Sequence, residues 1–345
     1  MRFCRLVKAM GTKYRHIVVA MDGNFDCKAR IPRGCQVECF EYIQCRRSML
    51  SRVLHLRKEL KKLRPNVLVT YNWGTIEWAM ANVFKVVRHI HVEDGFGPQE
   101  VSTRLRRRSV ARRLLLRSSV LVVPSQRLKQ IALKEWRLHP QQIYYIPNGI
   151  DCDRLRALAA TCPAGRFGWL DGGPVIGTVA TLRPEKNIGR LLRAFRLFAA
   201  TCPCRLIIVG DGPEKGSLEA LSAELGLADR IHFTGYMEEP EVAYGGFDVF
   251  ALSSDTEQMP LSVLEAMAAG LPIAATEVGD IADMVAPSNK RFVTARNEAE
   301  LAANLETLLS DANERTRIGR ENHNRMREQF TQDAMVLAYA RLFDA

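Results

Sequence analysis

The sequence lacks the features that mark membrane-spanning, secreted and zinc-bound proteins. No apolar run approaches the roughly 18–20 residues that a membrane-spanning helix needs. The first residues, M-R-F-C-R-L-V-K-A-M, have neither the apolar core nor the small-residue cleavage site of a signal peptide. The nine cysteines show no zinc-type spacing, so we interpret them as reduced thiols with structural roles. These absences predict a cytoplasmic protein.

Acidic residues are scarce in the first half of the chain. Residues 1–150 carry 29 Lys and Arg against 10 Asp and Glu, a net charge of +19, whereas the whole chain of 345 residues carries +11. The remaining residues are therefore acidic by 8 charges. A basic half joined to an acidic half predicts that one domain meets something anionic. Nucleic acid, an anionic membrane surface and a phosphorylated acceptor are all compatible with the charge alone.

Short β-branched runs alternate with helical segments along the chain, which is typical of parallel, doubly wound α/β sheets. A helix is predicted over Arg46–Leu63, because its apolar residues fall mainly on one face. The predicted strands are His16–Met21, Gln36–Phe40, Val67–Tyr71, Arg88–Val92, Val120–Pro124, Val175–Ala180, Arg205–Val209, Arg230–Phe233, Asp248–Leu252 and Pro272–Ala275.

A turn-forming motif divides the chain. I-P-N-G-I-D at Ile146–Asp151 predicts a hinge, because Pro147 and the Asn-Gly pair favour a turn. We therefore assign residues 1–150 to an N-terminal domain and residues 151–330 to a C-terminal domain. Residues 331–345 contain a last helix, near Gln332–Phe343, that is predicted to pack back across the domains.

The most informative stretch is Ser253–Gly279, which holds two carboxylates, Glu257 and Glu265. Its pattern predicts strand, loop, helix, turn and strand, with Glu257 on the loop and Glu265 on the helix that begins near Leu261. Ligands of open α/β sheets bind beyond the carboxyl ends of the strands, and helix N-termini attract phosphate. The stretch therefore predicts a phosphate site flanked by two carboxylates that suit hydroxyl groups.

Five motifs, in this order along the chain, resemble those of family 4 of the retaining glycosyltransferases. They are I-P-N-G-I-D, L-R-P-E-K-N at Leu182–Asn187, V-G-D-G-P at Val209–Pro213, F-T-G at Phe233–Gly235 and the Ser253–Gly279 stretch. The resemblance covers nearly all of residues 119–330. It implies an α/β protein of the GT-B fold, in which two Rossmann-like doubly wound domains face an interdomain cleft.

The resemblance implies a nucleotide-sugar site in the second domain. Glu257 would hold hydroxyls of the donor sugar, and Glu265 would hold the ribose hydroxyls. Lys186 and the backbone N–H groups near Ser262 and Val263 would bind the diphosphate. Since these groups can stabilise the leaving diphosphate, no metal and no separate cofactor is expected.

Further positions are implied near the same site. Gly210 and Gly212 let the chain turn tightly after a strand and leave room for a ligand. Tyr236 and Met237 would lie near the nucleotide base. The family usually has an arginine before the leucine of the L-R-P-E-K motif, where this chain has Thr181, so Arg183 is the nearest residue that could replace it.

Two other departures concern the sugar loop and the start of the chain. Gln258 follows Glu257 where the family commonly has glycine, which alters the loop around the sugar. The opening residues resemble the helix that follows the first strand and Gly-Gly loop of the family. We therefore expect this strand and loop to be missing from the sequence.

In the first domain, the stretch His91–Glu100, H-V-E-D-G-F-G-P-Q-E, follows a predicted strand and ends in a Gly-rich loop. The family often places a histidine or an acid here, close to the anomeric carbon. This singles out Asp94 as a catalytic candidate, followed by Glu93 and His91. The alternative is a turn in which Asp94 caps a backbone group.

The densest basic segment is Arg104–Arg117, R-L-R-R-R-S-V-A-R-R-L-L-L-R. As a helix, it is either a solvated face with its leucines in the core or a surface that contacts anionic lipid. No aromatic-interleaved or zinc-finger pattern accompanies the arginines, so nucleic acid is not expected as a partner.

The leading hypothesis is transfer of a sugar, with retention, from a UDP- or GDP-sugar to a hydroxyl of a glycan or lipid-linked acceptor. Polysaccharide or lipid-linked glycan assembly at the inner face of a membrane fits the basic domain and the family. The alternative is a catalytically silent nucleotide-sugar-binding protein of the same fold, which Thr181 and the missing first strand suggest.

Overall fold

The fold comes from a computed structural model, which describes residues 2–41, 48–96, 106–162 and 173–345. The chain divides into two compact units, Met1–Asn148 together with Asp333–Ala345, and Gly149–Gln332. The division falls between the Asn and the Gly of the I-P-N-G-I-D motif. Within the described ranges, every helix is too short or too polar to cross a bilayer.

The first unit contains two parallel sheets surrounded by helices. Strands β1 (His16–Val18) and β2 (Val37–Cys39) form a pair, and β3 (Val67–Tyr71), β4 (Arg88–Val92), β5 (Val120–Val123) and β6 (Ile143–Tyr145) form a sheet in that order. Its helices are α1 (Arg2–Met10), α2 (Met49–Leu63), α3 (Ile76–Ala81), α4 (Arg106–Leu115), α5 (Gln126–Lys134) and, from the end of the chain, α13 (Gln332–Asp344).

Helix α13 belongs to the core of the first unit. Its buried side chains Met335, Tyr339 and Leu342 share one apolar cluster with Leu6 of α1 and Val92 of β4. Burial of apolar surface is the main source of folding free energy. The last helix therefore contributes to the stability of a fold that is otherwise built from the first 148 residues.

In the described residues of the second unit, the strands form one parallel sheet in the order β12-β11-β10-β7-β8-β9. Its strands are β7 (Val175–Val179), β8 (Arg205–Val209), β9 (Ile231–Gly235), β10 (Val249–Leu252), β11 (Ile273–Thr276) and β12 (Val293–Thr294). Its helices are α6 (Cys152–Ala160), α7 (Ile188–Phe198), α8 (Lys215–Glu224), α9 (Leu261–Ala268), α10 (Ile281–Met284), α11 (Glu298–Ser310) and α12 (Ala312–Gln329).

The strand order of this sheet reverses beside β7. The chain runs outward from β7 through β8 and β9, and then returns to place β10 on the other side of β7. Loops that leave adjacent strands at such a reversal separate and leave a crevice for a ligand. The loops after β7 and β10 carry the L-R-P-E-K-N motif and the Ser253–Gly279 stretch.

The prediction of parallel, doubly wound sheets is confirmed, since every pair of strands in the described residues is parallel. Each predicted strand is present, with its ends shifted by a few residues at most. Strands β6 and β12 were not predicted. They contain three and two residues, too few to show a periodic pattern, and depend on pairing with β5 and β11.

The helix predicted over Arg46–Leu63 begins at Met49. Ser48 caps its start, since the Ser48 hydroxyl oxygen accepts a hydrogen bond from the Ser51 N–H at 3.3 Å. Arg46 and Arg47 lie outside the described residues. Residues 97–100 of the predicted catalytic loop, residues 104 and 105 of the basic segment and residues 163–172 of the second unit are also outside the described ranges.

Candidate active site

Two loops of the second unit are tied together at the carboxyl ends of β7 and β10. Asp255 accepts hydrogen bonds from Arg190 Nη2 at 2.7 Å and from Asn187 Nδ2 at 3.0 Å. Arg190 Nη1 also donates to the Ser253 carbonyl at 2.7 Å. Asn187 and Arg190 stand at the start of α7, so this helix holds the loop after β10 in a fixed position.

Lys186 and Glu257 meet across these two loops. Lys186 Nζ lies 2.6 Å from Glu257 Oε1, and Ser254 Oγ donates to the same oxygen at 2.8 Å. The Lys186 side chain is 26% exposed and that of Glu257 is 10% exposed. A charge-assisted hydrogen bond in this partly buried setting is stronger than one between neutral groups. Residues 71 positions apart in sequence thus form one charged site.

Helix α9 begins directly after this pair, at Leu261. Pro260 precedes it and supplies no side-chain cap, so the N–H groups of the first turn, which includes Ser262 and Val263, are oriented for an anion. Glu265 lies one turn further on and is buried. Its Oε2 accepts a hydrogen bond from the Tyr244 hydroxyl at 2.9 Å.

The glycines of the V-G-D-G-P motif pack against the backbone of the loop after β7. A Cβ added at Gly210, which has φ of +132°, would lie 1.9 Å from the Ala180 carbonyl oxygen. One added at Gly212 would lie 2.4 Å from the Leu182 carbonyl oxygen. On the side of an added Cβ, each glycine therefore meets the loop after β7. These glycines act through the position of that loop.

The remaining predicted donor-site residues are more open to solvent. The Arg183 side chain is 58% exposed and lies 4.0 Å from Glu185. Tyr236 is exposed, and Met237 is half-buried. Met237 lines an open pocket of about 590 Å³ together with Thr161, Glu238, Glu239 and Val242.

In the first unit, Asp94 lies just beyond the end of β4. It accepts a hydrogen bond from Arg2, which also donates to Asn148. The backbone N–H of Asp94 donates to Asn72 Oδ1 at 2.7 Å. The Asp94 carboxylate is therefore an ion-pair partner of Arg2 rather than the cap of a backbone group, and it remains partly exposed.

Glu93 and His91, the two further catalytic candidates, lie in the interior of the first unit. Both side chains are fully buried. Glu93 Oε2 accepts from Arg112 Nε at 2.8 Å and lies 3.4 Å from His91 Nε2. His91 Nδ1 is 2.7 Å from Thr70 Oγ1. The Arg112 guanidinium compensates the charge of the buried Glu93 carboxylate.

Arg112 also corrects the interpretation of the basic segment. It lies on α4 with its side chain 1% exposed, and its guanidinium carbon is 5.1 Å from the Trp73 ring and 4.9 Å from the Trp136 ring. One of the arginines thus serves the core. Among residues 107–117 of the segment, the exposed ones are Arg107, Val110, Arg113, Leu114 and Arg117.

Both halves of the chain match families of glycosyltransferases. Residues 2–154 match the family described as Glycosyltransferase Family 4, and residues 166–325 match the one described as Glycosyl transferases group 1. The chain belongs to glycosyltransferase family 4. The motifs quoted from its sequence, and the loops that hold Lys186 and Glu257, lie in the second of these matches.

Curated relatives of this family 4 chain include enzymes of several pathways. It is 33% identical to 2-deoxystreptamine glucosyltransferase of Streptomyces kanamyceticus over 59% of the chain and 54% of the relative. It is 35% identical to GDP-mannose-dependent alpha-mannosyltransferase of Mycobacterium tuberculosis over 44% of the chain and 38% of the relative. The chain thus spans about half the length, or less, of these relatives.

Solved structures show the same fold along the whole chain. HepE from Anabaena, in complex with UDP, superposes with a TM-score of 0.81 at 19% identity, over 99% of this chain and 95% of that one. WaaG, a glycosyltransferase involved in lipopolysaccharide biosynthesis, gives a TM-score of 0.74 at 16% identity, over 98% and 94%. The predicted GT-B fold of two Rossmann-like domains is confirmed.

Sequence reasoning missed several residues that position this site: Arg190, Tyr244, Ser254, Asp255 and, in the first unit, Arg112. Asn187 precedes a helical pattern, and this signal could have placed Arg190 in the first turn of α7. Tyr244 left no such signal, because its partner Glu265 lies on a different element, 21 residues later.

Proposed function

We propose that this chain is a retaining hexosyltransferase that moves a sugar from a nucleoside-diphosphate sugar to a hydroxyl acceptor. The observation that carries the proposal is the Lys186–Glu257 pair, held at 2.6 Å beside the uncapped start of α9. A cation and helical N–H groups suit a diphosphate, and a fixed carboxylate next to them suits sugar hydroxyls.

In this proposal, Lys186 and the N–H groups near Ser262 and Val263 bind the diphosphate and stabilise the charge that develops as it leaves. Glu257 holds hydroxyls of the sugar, and Glu265 holds those of the ribose. The acceptor hydroxyl attacks on the face that the diphosphate leaves, and a diphosphate oxygen takes its proton. The anomeric configuration is kept because the acceptor enters on the face that the diphosphate leaves, and no covalent sugar–enzyme bond forms.

The nucleotide is proposed to be UDP or GDP. HepE was solved with UDP and with UDP-glucose, and one relative is named as GDP-mannose-dependent. We propose that transfer needs no metal, because Lys186 and α9 supply the positive potential. Chelation with EDTA should then leave the rate of transfer unchanged, and a loss restored by Mg²⁺ or Mn²⁺ would contradict this part.

The test is a screen of nucleotide sugars for thermal stabilisation, followed by transfer assays with the best donor. A ligand at 100 times its Kd adds about 2.7 kcal/mol to the unfolding free energy, so a true donor raises the melting temperature. Lys186→Ala should abolish transfer and this stabilisation in a folded protein. Lys290→Ala, a change at another partly exposed lysine of the second unit, is the control. Full activity of Lys186→Ala would overturn the donor-site assignment.

A catalytically silent nucleotide-sugar-binding protein is the second candidate. The observation that favours it is the ion pair between Asp94 and Arg2, which engages the carboxylate proposed to act near the anomeric carbon. Calorimetric binding of a UDP- or GDP-sugar, without hydrolysis or transfer to any hydroxyl acceptor, would support it. Transfer by the unaltered protein that Asp94→Asn lowers would contradict this candidate.

The acceptor is proposed to be a glycan or a lipid-linked glycan at the inner face of a membrane. Helix α4 and the residues after it expose Arg107, Arg113 and Arg117 beside Val110 and Leu114, a combination that suits anionic head groups. Charge reversal of the three arginines to Glu should abolish co-sedimentation with phosphatidylglycerol vesicles and leave donor binding intact. Equal co-sedimentation of the unaltered protein and the charge-reversed variant would contradict a role of this surface in membrane binding.

A further inference from the structure

Tyr244 contacts Glu265 from the interior of the second unit. It lies in a 3-10 helical segment, Pro240–Gly246, that precedes β10. Its hydroxyl donates to Glu265 Oε2 at 2.9 Å and lies 3.3 Å from the Ser262 carbonyl oxygen. Both side chains are buried, so water does not compete with this hydrogen bond.

The Tyr244 ring is held by other aromatic side chains. The Phe247 ring packs edge-on at 5.8 Å between centroids, and the Phe250 ring lies at 5.8 Å in a tilted arrangement. Gly177 on β7 makes room for Phe247, because an added Cβ there would lie 2.2 Å from the Phe247 ring. The hydroxyl is therefore presented to Glu265 from a rigid support.

The hydroxyl remains a donor at physiological pH. Burial raises the pKa of Tyr244 well above its ordinary value, and the nearby Glu265 carboxylate raises this pKa further. A protonated phenol can donate only one hydrogen, and the shorter of its two contacts is to Glu265 Oε2. The carboxylate thus receives a hydrogen bond at one oxygen that limits its rotation.

We propose that Tyr244 is a positioning residue that orients Glu265 toward the ribose hydroxyls of the nucleotide. The inference rests on the proposed function, in which Glu265 binds the ribose. It has a specific consequence. The Tyr244 hydroxyl affects affinity only for ligands that carry the ribose hydroxyls, whereas a purely structural role would affect every nucleotide equally.

The experiment measures dissociation constants by calorimetry for UDP, GDP and their 2′,3′-dideoxy analogues, with the intact chain. Tyr244→Phe removes only the hydroxyl. For whichever of UDP and GDP the unaltered protein binds, this change should raise the dissociation constant by about 10-fold, in line with loss of a hydrogen bond to a charged group. The dissociation constant of the dideoxy analogue should change by less than about 2-fold. Tyr144→Phe, which removes an exposed hydroxyl of the first unit, should change neither.

A double-mutant cycle provides a second measurement. In a Glu265→Ala background, Tyr244→Phe should alter UDP or GDP affinity by less than about 2-fold, because the group through which it acts is absent. Unchanged affinity of the single Tyr244→Phe variant would overturn the proposal, and so would equal losses for the ribose and dideoxy ligands. If the unaltered protein binds neither UDP nor GDP, the proposed function itself fails and this inference fails with it.

Discussion

Arg112 and Glu93 form an ion pair inside the first unit, between one turn of α4 and the residue that follows β4. Their contact is 2.8 Å, and both side chains are almost completely buried. Three aromatic rings, those of Trp73, Phe96 and Trp136, lie against the guanidinium. Opposite charges in such a place support each other, and removal of either one leaves the other buried without its ion-pair partner.

Replacement of Arg112 by Met should therefore lower the unfolding free energy by about 3–5 kcal/mol. Arg113→Met, at the exposed neighbouring position, is the matched control and should leave the unfolding free energy unchanged within error. Urea denaturation followed by tryptophan fluorescence reports mainly on this unit, which contains three of the four tryptophans, Trp73, Trp78 and Trp136. The buried pair would have no stabilising role if both variants unfolded at the same urea concentration.

His89 makes the first unit sensitive to acid. Burial, and to a lesser degree the nearby His91, lowers the pKa of His89 from 6.5 to about 3. Between these two values the unfolded chain binds more protons than the folded one, so the unfolding free energy falls as the pH decreases from about 6.5 toward 3.

At pH 4.5 the loss attributable to His89 should be about 2–3 kcal/mol relative to pH 7. We expect His89→Asn to reduce the slope of unfolding free energy against pH over this range. His55→Asn, at an exposed position of α2, should keep the slope of the unaltered protein. Identical slopes for all three proteins would show that His89 is protonated without penalty in the fold.

At the scale of elements, the site depends on three neighbouring loops that pack backbone against backbone. The loop after β8 approaches the loop after β7 so closely that Leu182 N–H donates to the Asp211 carbonyl at 2.9 Å. Gly210 permits this approach, both through its φ of +132° and through the absence of a side chain.

Gly210→Ala should lower the unfolding free energy of the second unit by about 2–4 kcal/mol, from backbone strain and the contact with Ala180. It should also weaken nucleotide binding, because the loop that carries Lys186 must move. Gly216→Ala is the matched control on α8, where an added Cβ meets nothing within 4 Å. Gly216→Ala should raise the unfolding free energy by about 0.5–1 kcal/mol. Chemical denaturation of both variants, with and without UDP, measures their unfolding free energies and the stabilisation that the nucleotide provides.

At the scale of the whole molecule, the two ends of the chain fold together. Helix α13 follows the second unit in sequence but supplies Met335, Tyr339 and Leu342 to the core of the first. The stability of the first unit therefore depends on residues that are the last in the chain.

Leu342→Ala should destabilise the first unit by about 2–5 kcal/mol, the range for loss of a buried leucine side chain. Leu337→Ala, in the same helix at a position that is 54% exposed, should have little effect. Tryptophan fluorescence during urea denaturation measures the unfolding free energies of the two variants. If both changes were equally mild, α13 would contribute little to the packing of this core.

Local patterns in the sequence were sufficient for most of the elements, though not for the short strands β6 and β12, and for part of the candidate site. Strand positions followed from short β-branched runs, and the start of α9 followed from the apolar pattern after Pro260, because both signals depend on neighbouring residues. That Lys186 and Glu257 serve one nucleotide-sugar site was implied only by resemblance, and their direct contact was not predicted. The burial of Glu93 could not be predicted, since it depends on Arg112 from another element.

The sequence by itself determined the order of strands and helices, the division at Asn148–Gly149 and the family, because periodicity, turn residues and motif order are all local properties. Only the tertiary structure decided how side chains from separate elements meet. It set Tyr244 against Glu265, and it placed Arg112 in the core rather than on a basic surface. These contacts arise when the sheets bring distant segments together, and no local pattern encodes them.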